Sequence, residues 1–261
     1  MITVLKLGGE LLEDAASIGT AAAAILRLCS SGSVVVVHGG GRAIDAELRR
    51  RGLTPRFADG LRVTDADALD AVVTVLAGRT NTQLVAAVNA AGGKAVGLTG
   101  ADAQLALCAP AAPVRTQSGE IVDLGLVGEP TSTNVAFVTD LLQLGYVPVI
   151  ASIGITADGA LMNINADTFA AHLAAALGAR KLIVAGTTPG VLDEEGRTIP
   201  AMSQADVDTL TASGTAHSGM VAKLAACRQA AVGGVKEVSI VGGRGTLDFE
   251  SATGTRVRSA S

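Results

Sequence analysis

Two glycine-rich turns, each directly behind a short apolar strand, constrain this chain more than any other feature. Val4-Leu5-Lys6-Leu7 runs into Gly8-Gly9, and Val34-Val35-Val36-Val37-His38 runs into Gly39-Gly40-Gly41. Strands apolar on both faces belong inside a parallel sheet covered by helices. In such sheets ligands gather beyond the carboxyl ends of the strands. Glycines there leave amide N–H groups bare, which suits an anion. The pair of turns, one carrying a lysine, therefore predicts a polyphosphate site. It is not a P-loop, because GxxxxGK[ST] occurs nowhere in the chain. It is not the dinucleotide fingerprint either, since Ile44 stands where that motif needs Gly or Ala.

The rest of the chain repeats the strand–helix alternation. Strands are predicted at 2–7, 34–38, 94–98, 147–151, 181–185 and 236–241. Helices are predicted near 15–31, 42–51, 64–91 (interrupted at Gly78), 131–144, 165–178, 203–213 and 219–232. The Pro-containing stretch 105–128 reads as hairpins, with further turns at Asp158-Gly159 and Glu194-Glu195-Gly196. The expected class is α/β with a mainly parallel central sheet. At 261 residues, 49% of them hydrophobic, the chain fills one large domain or two joined lobes, with a soft boundary near Gly178. The polar tail from Arg256 to Ser261 is expected to be disordered.

Composition excludes several functions. Aromatics are only 2%, with no Trp, and the net charge is −4, so neither a base-stacking platform nor a basic nucleic-acid footprint is present. Three scattered cysteines without a CxxC pair read as reduced thiols, which predicts a cytoplasmic protein. The N-terminus enters a strand at once and the apolar runs are short, so neither a signal peptide nor a membrane span is expected.

A few polar residues stand out against this background. Lys6 lies in a run that is otherwise apolar. It needs an anionic partner there, or it snorkels from a strand end. Lys223 falls early in a helix, where the dipole disfavours a cation, on a stripe with Met220 and Cys227. It is a candidate phosphate ligand or a surface lysine. Asp167 sits in the first turn of a helix that Asn165 caps. That is ordinary dipole chemistry, or else an acid that organises lysines. Asn163 and Asn165 are spaced to share one side of an extended piece, or serve as turn and cap. Arg62, just before a capped helix, suits bidentate capture of a carboxylate, or lies on the surface. His38, His172 and His217 show neither metal spacing nor a nucleophile partner, and His38 reads as structural.

In combination these pieces resemble the amino acid kinase family over nearly the whole chain. Lys6-Leu7-Gly8-Gly9 and Val37-His38-Gly39-Gly40-Gly41 look like its two glycine turns. Gly60-Leu61-Arg62-Val63-Thr64 is similar to its acyl-amino-acid segment. Leu161-Met162-Asn163-Ile164-Asn165-Ala166-Asp167 is similar to its strand-to-helix segment, and Gly219-Met220-Val221-Ala222-Lys223 to its lysine-bearing helix start. The resemblance implies a three-layer sandwich of two lobes. Residues 1–178 would hold the acyl amino acid and the dimer contact, and residues 179–261 the nucleotide.

It also implies an enzyme that phosphorylates the side-chain carboxylate of N-acetyl-L-glutamate with ATP, a step of arginine synthesis. The Mg²⁺ would be carried by the nucleotide and not by a protein metal site. Lys6, Lys223 and Asp167 take the catalytic roles. Gly40, Gly41, Arg62, Asn163 and Asn165 take the substrate roles, and Gly8, Gly9, Thr187, Gly190 and Met220 the nucleotide roles. Small residues at Gly97, Thr99, Gly100 and Ala101 are expected along the acyl wall. Thr187 departs from the family pattern, which has an acid there. The chain begins without the N-terminal helix that accompanies arginine-inhibited hexamers, so a homodimer is expected. N-succinylglutamate or carrier-linked aminoadipate as acceptor, or a non-catalytic binding protein, are the alternatives.

Overall fold

The computed structural model describes residues 1–116, 118–212 and 218–258. His217 and the tail residues 259–261 lie outside the described residues. The chain runs through strand Ile2–Leu7 (β1), helix Ala15–Cys29 (α1), strand Ser33–His38 (β2) and helix Gly41–Arg50 (α2). A small hairpin of Phe57–Ala58 (β3) and Leu61–Arg62 (β4) leads to helix Ala66–Val73 (α3). A π-helical turn, Thr74–Thr80, joins that helix to Asn81–Ala90 (α4), and Ala95–Thr99 (β5) follows. Next come Ala106–Pro110 (β6), Val114–Arg115 (β7), Ile121–Val122 (β8), Gly128–Thr133 (β9) and helix Val135–Gln143 (α5). Val147–Ala151 (β10), Ile153–Ile155 (β11) and Leu161–Asn163 (β12) precede helix Ala166–Ala176 (α6). Lys181–Gly186 (β13), Ala201–Met202 (β14), helices Gln204–Ala212 (α7) and Ser218–Val232 (α8), Glu237–Gly242 (β15) and Gly254–Val257 (β16) complete the order.

Eight strands form the central sheet in the order β14-β16-β15-β13-β1-β2-β10-β5. β13, β1, β2, β10, β5 and β15 are joined in parallel, while β16 runs antiparallel to β15. The sheet passes unbroken from β1 to β13, so the segments either side of Gly178 share one sheet. A second sheet, β12-β11-β6-β9, lies beside it.

Alternation along the strands sets the layers. Leu5 and Leu7 of β1 and Val34 and Val36 of β2 pack with Ile18, Ile25 and Leu28 of α1 and Leu84 and Val88 of α4. Val4, Val35 and Val37 face the other way, onto Phe169 and Leu173 of α6 and Leu224 of α8. Burying each Leu or Phe of this kind is worth roughly 1.5–3 kcal/mol. Lys6 shares the parity of Val4, so sequence alternation alone aims it at α6 and α8. Its 6% exposure follows from that placement.

The structure corrects three sequence expectations. The helix expected near 131–144 starts only at Val135. Pro130 with Thr131 and Thr133 favours the strand β9, and Asn134 caps the helix by accepting from the Phe137 amide at 3.2 Å. The interruption at Gly78 is a π turn inside one continuous helix. The polar tail is partly ordered, because Arg256 and Val257 belong to β16. Thr255 and Val257 are buried while Arg256 points outward. Thr255 Oγ1 donates to the Ile199 carbonyl at 2.7 Å and accepts from the Val191 amide at 2.8 Å. Apart from these corrections, the helical run Ala66–Ala90 is long and apolar enough by composition to cross a membrane. Its Val72, Val75, Leu76, Leu84 and Val88 are nevertheless buried in the protein's own core.

Candidate active site

Because β1 and β2 are neighbours in register, their glycine turns meet. A Cβ on Gly9 would strike the Cα of Gly40, so neither turn tolerates a side chain at the contact. The turns open onto a cavity of about 240 Å³ beyond the carboxyl ends of β1, β2 and β10. Its walls bring together Lys6, Gly9, Gly40, Gly41, Arg62, Asn163, Asn165 and Asp167. Among the described residues the amides of Gly9, Gly40 and Gly41 have no acceptor. The Gly8 amide differs. It donates to the Ala185 carbonyl at 2.9 Å, so Gly8 fixes the turn and offers no donor.

Lys6 Nζ lies 2.9 Å from Asp167 Oδ1, and both side chains are about nine-tenths buried. The approach is an ion contact without hydrogen-bond alignment, and Oδ1 keeps no hydrogen-bond donor. Asp167 is placed by the start of α6. Asn165 Oδ1 accepts from the Asp167 amide at 2.9 Å and the Thr168 amide at 3.1 Å, closing the helix end that stabilises the carboxylate. Asn163 Nδ2 donates to Thr64 Oγ1 at 3.1 Å, tying β12 to the segment after β4.

Arg62 is held but not exhausted. Its Nη2 donates to Asp45 Oδ1 at 2.6 Å and to the Gly41 carbonyl at 3.1 Å, and its guanidinium stacks 4.8 Å over the Phe57 ring. Nη1 is buried with no partner among the described residues. A buried guanidinium N–H without an acceptor is costly, and a ligand carboxylate is its natural complement.

Lys223 approaches from α8. Its Cε and the Glu10 carboxylate flank Gly186, at 3.7 and 3.2 Å from where a Cβ would stand. Among the described residues its Nζ has only a long 3.5 Å contact to the Gly219 carbonyl. Buried Cys227 marks where the charges converge. Burial pushes its thiol far up, Asp167 adds to that, and Lys223 and Lys6 pull the other way. Within α2, buried Glu47 is gripped by Arg50 and Arg51, which pull its carboxyl down to about 2, and it reaches Arg79 of the π turn at 3.5 Å. That cluster braces the helix that opens at Gly41.

The other residues expected on the nucleotide side are placed differently. Thr187 is exposed, with no side-chain partner among the described residues. Gly190 has φ +123°, and a Cβ there would press on Thr255, which gives it a packing reason of its own. Met220 packs against the core beneath α8. Gly97, Thr99, Gly100 and Ala101 do not line the cavity. A Cβ on Gly97 would strike Asn81 Oδ1, and one on Gly100 the Ile153 carbonyl. Residues missed from sequence include Asp45 and Phe57, which orient Arg62, and Leu76 of the π turn. Glu10, between the two turns, was missed as well. Asp45 follows the second glycine turn by one helical turn, a spacing that signals a shared face.

A model of the amino acid kinase family matches residues 1–242. The chain belongs to that family. Acetylglutamate kinase of Geotalea uraniireducens is 41% identical over 245 residues, covering 92% of this chain and 84% of that protein. Acetylglutamate kinase of Bordetella avium is 44% identical over 211 residues, covering 80% of this chain and 70% of that protein. The amino acid kinase fold recurs in N-acetylglutamate synthase from Neisseria gonorrhoeae, complexed with coenzyme A and N-acetyl-glutamate. The TM-score is 0.84 at 24% identity, over all of this chain and 60% of that one. That likeness is one of fold.

Proposed function

We propose that this amino acid kinase transfers the γ-phosphoryl group of ATP to the side-chain carboxylate of N-acetyl-L-glutamate, forming an acyl phosphate in arginine synthesis. The observation that carries this is the unpartnered Arg62 Nη1. It is buried in a cavity that also presents Lys6, Asp167 and the bare amides of Gly9, Gly40 and Gly41. A small acid with two carboxylates fits such a site. One carboxylate meets Arg62 with Asn163 beside it, and the other faces the glycine turns.

The acceptor carboxylate is ionised at neutral pH, so its oxygen attacks phosphorus without a general base while the bond to ADP breaks. Two anions must be brought together, and Lys6 and the turn amides stabilise the transferring phosphoryl oxygens. Asp167 holds Lys6 in place. Lys223 neutralises charge on the nucleotide side, where Gly8 and Gly9, Thr187, Gly190 and Met220 border the donor. Mg²⁺ carried by the nucleotide would supply further charge neutralisation, and the Glu10 and Asp167 carboxylates in the cavity wall would hold it.

Residues 1–178 are the acyl-amino-acid lobe in this reading, supported by a cavity whose walls all come from that segment, and residues 179–261 carry the nucleotide. Exposed Leu144 and Tyr146, beside the edge strand β5, support a homodimer, which light scattering tests. Three free cysteines support a cytoplasmic location.

A hydroxamate assay with Mg-ATP and, in parallel, N-acetylglutamate, N-succinylglutamate and glutamate tests the acceptor. Preference for the acetyl compound is expected. Preference for the succinyl compound would move the pathway, and silence with all three would overturn the assignment.

A further inference from the structure

His38 ends β2 immediately before the glycine turn and is 0% exposed, with Asn81 at 5% beside it. A buried imidazole must satisfy both nitrogens, and the partners identify which one carries the proton. Asn81 Nδ2 donates to the Val149 carbonyl at 2.8 Å. A carbonyl only accepts, so this bond fixes the orientation of the Asn81 amide. The same Nδ2 lies 3.0 Å from His38 Nε2. An amide nitrogen only donates, so Nε2 accepts and is bare. The single ring proton therefore sits on Nδ1, which lies 3.3 Å from the Gly39 carbonyl. Burial holds the ring neutral, with its pKa lowered to about 4.

The peptide joining Gly39 to Gly40 is planar and trans, so its carbonyl and its N–H point in opposite directions. A proton donor on the Gly39 carbonyl thus sets the direction of the Gly40 N–H. That N–H has no acceptor among the described residues, and Gly40 lines the cavity. Leu76 of the π turn, which also lines the cavity, packs against Gly40, its Cδ2 2.7 Å from where a Cβ would stand. The π turn ends at Thr80, directly before Asn81. One irregular stretch of helix thereby supplies both the packing against Gly40 and the amide that sets His38. Such insertions are frequent at functional sites.

We propose that His38 is a positioning residue, aiming the Gly40 N–H at the anion in the cavity through a relay of Val149 O, Asn81, His38 and Gly39 O. This rests on the phosphoryl-transfer reading of the site. A histidine that merely fills space and satisfies Asn81 makes the opposite prediction for two substitutions. His38→Asn keeps an N–H near the position of Nδ1 and loses the Asn81 contact. His38→Gln keeps an acceptor for Asn81 and loses the donor to Gly39.

The relay predicts that kcat with ATP and N-acetylglutamate falls at least about tenfold in His38→Gln, at nearly unchanged KM. It predicts that His38→Asn stays within about threefold of wild type. Equal losses in both, or an active Gln and an inactive Asn variant, would overturn it. Long-range ¹H–¹⁵N spectra of the wild type read the tautomer without any turnover. An Nδ1–H ring supports the relay, and an Nε2–H ring refutes it even if neither variant folds. A wild type with no kinase activity but an Nδ1–H ring would overturn the reaction assignment alone.

Discussion

In the proposed reading the cavity between the glycine turns and the surface around Gly186 form one site, and the two are built differently. In the cavity Lys6, Arg62 and Asp167 are each placed by another side chain. Lys6 sits against Asp167, Arg62 against Asp45 and Phe57, and Asp167 on a helix end that Asn165 caps. Beyond Gly186 the polar groups are loosely held. Thr187 is exposed, and among the described residues Lys223 has only its long contact to the Gly219 carbonyl. On the proposed assignment, the acceptor end is organised by its own side chains, while the nucleotide end holds its lysine loosely among the described residues. Substitutions in the first region should disturb fold and chemistry together, and those in the second chemistry alone.

Lys6→Ala is the strongest test. Loss of a transition-state cation lowers kcat by roughly 10²–10³-fold. It also strands the Asp167 carboxylate, and breaking a buried ion pair costs about 3–5 kcal/mol. The double variant Lys6→Met with Asp167→Asn should recover stability in urea unfolding and recover no turnover. Near-normal kcat in Lys6→Ala would remove the assigned role. Arg62→Ala comes next. It should raise KM for the acyl amino acid about 10–100-fold with little change for ATP, since charged hydrogen bonds contribute about 1.5–3 kcal/mol each. An equal rise for both substrates would make Arg62 a structural residue.

Lys223→Ala sharpens the contrast from the other side. Its kcat/KM for ATP should fall about tenfold, while urea unfolding shifts by no more than about 0.5 kcal/mol, because no charged partner among the described residues is left behind. A large loss of stability would show that the nucleotide end is as tightly organised as the cavity.

The same contrast explains what was legible in the sequence. The strand–helix alternation and the two glycine turns follow from local pattern, and so does the parity that points Lys6 at α6. Asp45 and Arg62 are joined only by the fold, which brings α2 against the β3–β4 hairpin, and no local pattern announces a pair 17 residues apart. The acyl wall was misplaced for a related reason. Gly97 and Gly100 are small because Asn81 and the Ile153 carbonyl press on them, and close packing against distant groups leaves no periodic trace. The β16 tail was hidden by its polar outward residues, although Thr255 and Val257 alternate with them as a half-buried strand should.

The last effect concerns His38 and is smallest at neutral pH. The folded protein holds its pKa at about 4 against an ordinary 6.5, because burial disfavours the charged ring and its recorded partners, Asn81 and the Gly39 carbonyl, carry no charge. Between those two values the unfolded chain binds the proton and the folded protein does not. Stability therefore falls as pH drops through the window, with a slope approaching about 1.4 kcal/mol per pH unit, and the loss stops growing below about 4. The lowered carboxyl of Glu47 acts lower, between 4.5 and about 2, so the range from 6.5 to 4.5 isolates the histidines. His172, also lowered by burial, contributes with the same sign. It cancels when wild type is compared with His38→Asn. Urea unfolding of both proteins at pH 7, 6 and 5 should show the wild type losing more stability with acid. Parallel slopes would mean that His38 is not held neutral beneath the glycine turn.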